Sequence, residues 1–402
     1  MPEQKRVINL ATDSNGAYFC SIPVSKEQWL EILRNKTVTS PSMMRVLLSF
    51  YFMPGHKASC FQCAQEYGNT INFYNTGISS FGRAVAKHLD DFEIIDESGD
   101  VRYWPIPVGK GREVKLKGKD QFEWQLRDGL AEALEEIVID NAISSYIVDF
   151  DKYWDDEKYK WRAVEWFQEK WDIDAPDFPA MLDDATSRSE NLLGSRNTYP
   201  RGMIVEMAKA DTPAVKEMFA NLYDETLPLE KRVADFIKRA DEIRKKHNPG
   251  SWNMHYQSTN SVSVYLWLRY PDKYYIYKYG EYREVDEKLG LGYVFKRNGE
   301  PTEMAKGFEM YGVLNDALSR NTEVKDTIAS HLAEDSSLYS DPELKTATTD
   351  LGYYISRRYK SIKASLYSKS TSSMNPFIST AKSVLESKKN IILQGAPGTG
   401  KT

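Results

Sequence analysis

The residues with the clearest chemical meaning stand at the end of the printed sequence, in the string NIILQGAPGTGKT. Three apolar residues, 391–393, predict a buried strand that leads directly into a glycine-rich loop with the spacing G-x-x-x-x-G-K-T. In such a loop, backbone N–H groups surround phosphates, the lysine adds positive charge, and the threonine hydroxyl ligates Mg²⁺. The predicted nucleotide site comprises Gly395, Ala396, Pro397, Gly398, Thr399, Gly400, Lys401 and Thr402, with Thr402 as the Mg²⁺ ligand.

The sequence stops where the helix behind this loop would begin. In nucleotide hydrolases, the acidic Mg²⁺ ligand, the residue that orients water and any arginine finger are further groups outside the phosphate-binding loop. We therefore expect the 402 residues to be part of a longer nucleoside triphosphatase that uses Mg²⁺ with GTP or ATP. Hydrolysis by these residues alone is not expected.

The helical pattern over 376–386 followed by NIILQGAPGTGKT resembles the start of the AAA+ α/β domain in McrB-type proteins. These are the nucleotide-hydrolysing motors of modification-dependent restriction systems. The loop GAPGTGKT also resembles those of other AAA+ motors, such as MoxR-like chaperones. The resemblance covers residues 376–402 and implies a first strand, a phosphate-binding loop and assembly into a ring. The McrB resemblance implies GTP, although the residues that select guanine are not in this sequence.

Residues 1–140 predict one compact module of helices followed by strands. Capping patterns at Ser25, Ser40 and Ser59 each start a helix, and apolar spacing predicts a fourth helix through Ile78–Leu89. Strand patterns follow over 92–95, 101–108 and 122–126. Helices followed by a β-hairpin are typical of a winged helix-turn-helix.

Polar and basic residues of this module predict contacts with DNA. Residues 101–119 carry six cations and one carboxylate, a local charge of +5, in a chain whose 53 Lys and Arg and 58 Asp and Glu give −5. Such a loop would contact phosphates, whereas the polar side of the fourth helix would reach base edges. A solvated basic loop beside an ordinary helix is the alternative. The candidates are Asn75, Ser79, Ser80, Arg83 and Lys87 on the helix, and Arg102, Lys110, Arg112, Lys115, Lys117 and Lys119 in the loop.

An N-terminal module of bacterial restriction proteins, found with HNH nuclease or McrB-like partners, is similar to three runs of this sequence. The runs are MMRVLLSFYFMPGHKASCFQCAQEYGNTINFYNTGISSFGRAVAKHL, YWPIPVGKGRE and FEWQLRDGLAEAL. The similarity lies mostly in apolar and glycine positions, so it concerns the fold more than individual contacts. It implies a module that reads DNA, including modified DNA.

The cysteine content favours a reducing compartment. Cys60 and Cys63 form a Cys-x-x-Cys pair near His56, but a structural zinc site needs four ligands, and Cys20 is the only other cysteine. We expect the pair to lie in the first turn of a helix without zinc. The sequence has neither a signal-peptide pattern nor a long apolar run, so a cytoplasmic protein without a membrane partner is expected.

Residues 141–185 predict an acidic helical connector. Between 149 and 185, twelve Asp or Glu oppose five Lys or Arg, and four tryptophans recur at helical intervals. Acidic residues repel a DNA backbone, whereas the tryptophans would pack the connector onto a neighbouring domain. These tryptophans are Trp154, Trp161, Trp166 and Trp171.

Residues 186–364 predict a mixed α+β middle domain with a small antiparallel sheet. Alternating β-branched and aromatic residues predict strands over 261–270 and 273–279. One strand face would offer aromatic rings and a cation for stacking on an unpaired or flipped base. Packing of these rings against helices is the alternative. The stacking candidates are Tyr265, Trp267, Arg269, Tyr275 and Tyr277.

A Ser-rich linker, 365–375, precedes the nucleotide-binding segment, 376–402. The sequence therefore predicts a multidomain α+β protein, the DNA-recognition and nucleotide-binding part of a McrB-like restriction motor. The expected partners are double-stranded DNA, unmodified or carrying 5-methylcytosine, a McrC-like nuclease subunit, and further copies of the chain in a ring. The alternative is a MoxR-like AAA+ remodeller whose N-terminal domains bind protein.

Overall fold

A computed structural model describes residues 5–194 and 198–367 of the chain, which is a multidomain α+β protein. The described residues form two compact units. Unit 1 consists of residues 5–131 together with 363–367, and unit 2 consists of residues 132–362. The second unit is therefore inserted into the first along the chain.

Unit 1 contains the strands of the described chain. They are β1 Arg6–Asn9, β2 Ala11–Thr12, β3 Tyr18–Phe19, β4 Lys57–Ser59, β5 Phe92–Ile95, β6 Val108–Leu116 and β7 Lys119–Leu126. Five of them form an antiparallel sheet in the order β2-β3-β6-β7-β4, and β1 pairs with β5 in parallel. A small antiparallel sheet is thus present, but in the N-terminal unit.

Three helices of unit 1 begin at the predicted capping residues, and the fourth begins at Ile71, before its predicted span. They are α1 Lys26–Arg34, α2 Pro41–Tyr51, α3 Cys60–Tyr67 and α4 Ile71–Leu89. Ser25 and Ser59 form complete capping boxes with Gln28 and Gln62, and the Ser40 hydroxyl accepts from the N–H of Met43. These hydrogen bonds satisfy N–H groups that a helix leaves without intrahelical partners. The three helix starts predicted at Ser25, Ser40 and Ser59 are confirmed.

The strand predictions of unit 1 are confirmed only in part. The 92–95 strand is β5, and 122–126 lies within β7. The predicted 101–108 strand is wrong, because β6 begins at Val108 and only Val101 makes an isolated bridge, to Ile95. The loop between them lies against α4, where the Tyr103 carbonyl oxygen approaches Gly82 so closely that an added Cβ would stand 2.0 Å away.

The guanidinium of Arg127 joins separate parts of unit 1. It donates to the carbonyl oxygens of Ile106 at 2.8 Å, Pro105 at 2.6 Å and Cys20 at 2.8 Å. Burial lowers the pKa of Arg127. The planar guanidinium group carries five N–H donors, enough to reach all three carbonyl oxygens. The end of β7, the end of β3 and the loop before β6 are thereby fixed together.

Helices are the regular secondary structure of unit 2, and its described residues, 132–194 and 198–362, contain no strand, so the predicted middle-domain sheet is wrong. Helices α5 and α16 cross its two boundaries with unit 1. The helices are α5 Asp128–Glu157, α6 Tyr159–Lys170, α7 Phe178–Ala185, α8 Pro200–Ala210, α9 Thr212–Tyr223, α10 Leu229–His247, α11 Thr259–Arg269, α12 Tyr279–Leu289, α13 Pro301–Arg320, α14 Thr322–Ala333, α15 Lys345–Arg357 and α16 Ile362–Leu366.

Helix α11 occupies the segment predicted as the first strand, 261–270. Every residue from Val262 to Leu268 is buried, so the helix has no polar face and its sequence lacks the spacing of an amphipathic helix. At the start of α11, the Ser258 N–H donates to the Ser261 hydroxyl oxygen at 2.8 Å. The second predicted strand has no regular secondary structure over 274–278. Burial on all sides explains the error, because a short apolar run does not distinguish a buried helix from a strand.

Residues 141–185, predicted as a connector, lie in α5, α6 and α7 within unit 2. The Trp161 side chain is fully buried and donates from Nε1 to Asp341 at 3.1 Å. Trp154 stacks on Phe150, and Trp171 stacks on Phe167. The segment is thus part of the helical core through its aromatic residues.

Candidate nucleic-acid interface

Helices α3 and α4 of unit 1 are consecutive along the chain and pack against each other. They are joined by the three residues Gly68, Asn69 and Thr70, of which the first two have φ of 77° and 68°. The Tyr74 hydroxyl donates to the Gly68 carbonyl oxygen at 2.8 Å, which ties the turn to the first turn of α4. A three-residue turn with glycine is the connection found in DNA-binding helix-turn-helix motifs.

The predicted DNA-contacting residues of α4 share the solvent side of this helix. Asn75, Ser80, Arg83 and Lys87 are exposed, and Ser79 is half-buried. The opposite side supplies the core through fully buried residues, which are Tyr74, Ile78, Phe81 and Val85. Helix α4 therefore presents a polar face of amide, hydroxyl and cationic groups, the types that hydrogen-bond base edges and phosphates.

Strands β6 and β7 form a long hairpin whose tip is cationic. The two-residue turn, Lys117 and Gly118, has positive φ at both positions, the backbone geometry of a tight β-hairpin. Lys115, Lys117 and Lys119 are exposed. Within the described chain these three side chains have no carboxylate within ion-pair distance and no hydrogen-bond partner. Their charge is available to a ligand.

Three other predicted DNA contacts are already paired with carboxylates. Lys110 lies 2.8 Å from Asp13 and, by hydrogen bonding to it, lowers the pKa of that carboxyl to about 2. Arg112 lies 2.9 Å from Glu123 on the neighbouring strand. The third, Arg102, pairs with two carboxylates, those of Asp96 at 2.5 Å and Asp100 at 3.2 Å. The available positive charge is therefore smaller than the sequence count suggests, and it is concentrated at the tip.

A cleft of about 220 Å³ brings together cations from both predicted groups. It is lined by Arg83 and Lys87 of α4, by Arg102, and by Lys5, which was not among the predicted contacts and forms an ion pair with Asp90 of the same cleft. The Arg83 guanidinium lies 5.0 Å from the centre of the Tyr103 ring, a cation–π contact that orients it. The tip lysines do not line this cleft. Cationic groups thus occur at two places on unit 1.

The base-stacking candidates of the middle region are in the core of unit 2. Tyr265 and Trp267 are fully buried, and Tyr275 and Tyr277 are each 3 % exposed. The Trp267 indole donates to a threonine hydroxyl at 3.1 Å, which completes its hydrogen bonding inside the protein. Arg269 lies at the end of α11 and stacks over Tyr270. These rings have no exposed face for a base, so we do not propose base stacking at this place. They pack against neighbouring helices, which was the alternative interpretation.

The cysteine pair lies in the first turn of α3, as expected. Cys60 and Cys63 are buried, and burial raises the pKa of Cys60 to about 12 and that of Cys63 further. The His56 ring donates from Nδ1 to the Tyr51 carbonyl oxygen at 2.6 Å. Among the residues that the structure describes, no group of three or more His, Cys, Asp or Glu is arranged to hold a metal ion.

The predicted phosphate-binding loop, 395–402, and its Mg²⁺ ligand Thr402 lie outside the described residues. Searches of protein-family models, curated proteins and solved structures find no match to the chain. Within residues 5–194 and 198–367, no helix combines the length and apolar composition needed to cross a bilayer. The nucleotide site therefore stays a prediction from its sequence motif.

Proposed function

We propose that the chain is the DNA-recognition and nucleotide-binding part of a McrB-like restriction motor. In this proposal, unit 1 binds double-stranded DNA, and the full motor couples GTP or ATP hydrolysis to cleavage by a separate McrC-like nuclease. The observation that carries the DNA-binding half is the hairpin tip, where Lys115, Lys117 and Lys119 are exposed and make no ion pair with any residue that the structure describes. Unpaired cations on a projecting hairpin are suited to phosphate contacts.

The arrangement around the hairpin supports a winged helix-turn-helix. Along the chain, α2, β4, α3 and α4 are followed, after β5, by β6 and β7, and β7 pairs with both β6 and β4 in the sheet order β6-β7-β4. This is the order in which a winged-helix module builds its helix-turn-helix and its wing. By analogy, α4 would enter the major groove and the hairpin would contact the adjacent backbone.

The nucleotide-binding half of the proposal rests on the sequence of residues 395–402. Lys401 would contact the β- and γ-phosphates, and Thr402 would ligate Mg²⁺. Ring assembly, the nuclease partner and the choice of GTP or ATP follow from the McrB resemblance and belong to the proposal. DNA that carries 5-methylcytosine is the proposed substrate class.

The experiment is a binding titration of the full 402-residue chain with fluorescent duplexes that carry unmodified, hemimethylated or fully methylated cytosine. Each duplex is titrated across a salt series. We expect affinity to fall steeply with salt, because bound cations displace counterions from phosphates, and to be highest for a methylated duplex. Absence of DNA binding at low salt with every duplex would refute the proposal and favour a protein-binding AAA+ remodeller.

A further inference from the structure

Unit 2 contains a polar cavity of about 330 Å³, and none of the DNA-contact candidates lines it. Its wall is built from the end of α5, the start of α6, the segment that leads into α12, and α15. The volume is at the lower end of the range for small-molecule sites. The cavity therefore has room for a small metabolite.

Part of the wall is an internally matched ion network. The buried Lys160 ammonium donates to Glu157 at 2.8 Å and also to Asp350. Arg358 donates to the other oxygen of Glu157 at 2.6 Å. Burial acts to raise the pKa of Glu157, but Lys160 and Arg358 leave it below its ordinary value. These groups are satisfied without a ligand and hold the surrounding helices in position.

Two other groups of the wall have no partner among the residues that the structure describes. The Lys278 ammonium makes no hydrogen bond or ion pair; burial lowers its pKa, and the charge of Glu281, beyond ion-pair distance, acts to raise it. Thr349 on α15 is 3 % exposed, and its Oγ1 is buried without a hydrogen-bond partner. An unpaired ammonium and an unpaired buried hydroxyl both cost stability. A bound oxyanion would satisfy both groups.

A carboxyl group of the same wall is able to accept a hydrogen bond from a ligand. Glu281 on α12 is 5 % exposed, and one of its oxygens accepts from the Tyr311 hydroxyl at 3.0 Å. Lys278, Lys160 and Arg357 act on this carboxyl group electrostatically, but in the described parts of the chain no Lys, Arg or His lies within ion-pair distance of it. Burial raises the pKa of this carboxyl group. A ligand N–H or O–H group would therefore find an acceptor here.

We propose that this cavity binds a small metabolite through an oxyanion group, a phosphate or a carboxylate. Lys278 supplies the charge, Thr349 donates a hydrogen bond, and Glu281 accepts one from the remainder of the ligand. The further acids Asp156 and Glu157 in the wall disfavour a polyanion such as nucleic acid. This inference does not depend on DNA binding by unit 1, and it makes the middle unit a metabolite-binding module.

The first test titrates the full chain with inorganic phosphate and with acetate, each against sodium chloride at equal ionic strength. Melting temperature and heat of binding are measured. We expect a saturable rise in melting temperature with at least one oxyanion, because a ligand that binds only the folded state stabilises it. Whichever of phosphate and acetate binds more tightly identifies the oxyanion group of the ligand. A response to both probes no larger than that to chloride would overturn the proposal.

The second test uses Lys278→Met and Thr349→Val, which remove the unpaired groups with little change in volume. Without a probe, both variants are expected to melt at the wild-type temperature or higher, because each loses an unsatisfied polar group. Affinity for the bound probe is expected to fall about tenfold or more in Lys278→Met, the effect of losing one charge-assisted hydrogen bond.

Lys238→Met is the matched control, because this lysine lies on α10 outside the cavity with 77 % of its side chain exposed. We expect it to bind the probe as wild type does. Wild-type affinity in both Lys278→Met and Thr349→Val would contradict the assignment. If Lys278→Met does not fold, Thr349→Val decides the question alone.

Discussion

Replacing Gly82 by alanine tests the contact that holds the 101–107 loop against α4. The new Cβ would lie 2.0 Å from the Tyr103 carbonyl oxygen and 3.2 Å from Pro107 Cδ. Non-bonded heavy atoms prefer roughly 3.5 Å, so the loop backbone would have to retreat by more than about 1 Å. The same carbonyl oxygen accepts from Ile106 N–H at 3.1 Å, and its movement would disturb that turn.

The expected change in stability follows from two opposing effects. Overpacking typically costs about 1–3 kcal/mol of stability. The clashing atom is a backbone carbonyl oxygen, which cannot rotate away as a side chain could, so we expect a cost near the upper end of this range. Alanine in place of glycine in a helix contributes about 1 kcal/mol of stability. Gly82→Ala should therefore destabilise unit 1 by about 2 kcal/mol. Gly202 in α8 is the matched control, because no atom would lie within 4 Å of its added Cβ.

Urea unfolding followed by circular dichroism measures both variants, and hydrogen exchange over residues 101–107 locates the change. Gly82→Ala should unfold at lower urea concentration and exchange faster in this loop, whereas Gly202→Ala should be stabilised by up to about 1 kcal/mol. The reasoning would be refuted if Gly82→Ala were stabilised as much as Gly202→Ala with unchanged exchange in the loop.

Three further variants test other parts of the chain. Replacing Lys115, Lys117 and Lys119 together by glutamine should lower the slope of log affinity for DNA against log salt by about 2.7, from three contacts at about 0.9 each. An unchanged slope would exclude these contacts. Arg127→Lys should destabilise unit 1 by about 2–3 kcal/mol in urea, because an ammonium cannot join the separated carbonyl oxygens; wild-type stability would contradict this. The pKa of Glu157 is lowered in the folded state. The ionised carboxylate therefore adds to the free energy of unfolding above its ordinary pKa of 4.5, and this stabilisation is lost as the pH falls. Melting temperatures between pH 3 and 7 should therefore decline less on acidification in Glu157→Gln, and an equal decline would count against the ion network.

Local signals in unit 1 allowed its helices to be predicted from the sequence. Ser25, Ser40 and Ser59 act through hydrogen bonds within their own first turns, so neighbouring residues suffice to identify them. The polar face of α4 was predictable for a similar reason, because helical spacing assigns its exposed and buried sides. Pairing of Lys110 with Asp13 depends on strands far apart in the sequence and could not be read from local charge counts.

The errors in unit 2 have a different cause. Helix α11 is buried on all sides, so its β-branched and aromatic residues follow no helical stripe, and they were interpreted as a strand. The cavity was missed because its chemistry depends on residues brought together by the tertiary fold. Lys160, Lys278 and Thr349 are separated by many helices, and nothing in their local sequence indicates a shared wall. Tertiary packing alone defines this site.

The insertion of unit 2 into unit 1 has a consequence for folding during synthesis. The chain leaves unit 1 after Ala131 and returns at Lys363, and the returning segment is held by the Arg45 side chain, which donates to the Leu366 carbonyl oxygen at 2.7 Å. At about 5–20 residues per second, a ribosome needs on the order of 10–50 seconds to make the intervening chain. During this time the first 131 residues of unit 1 are already synthesised, but Arg45 has no Leu366 carbonyl oxygen to contact until unit 2 has emerged.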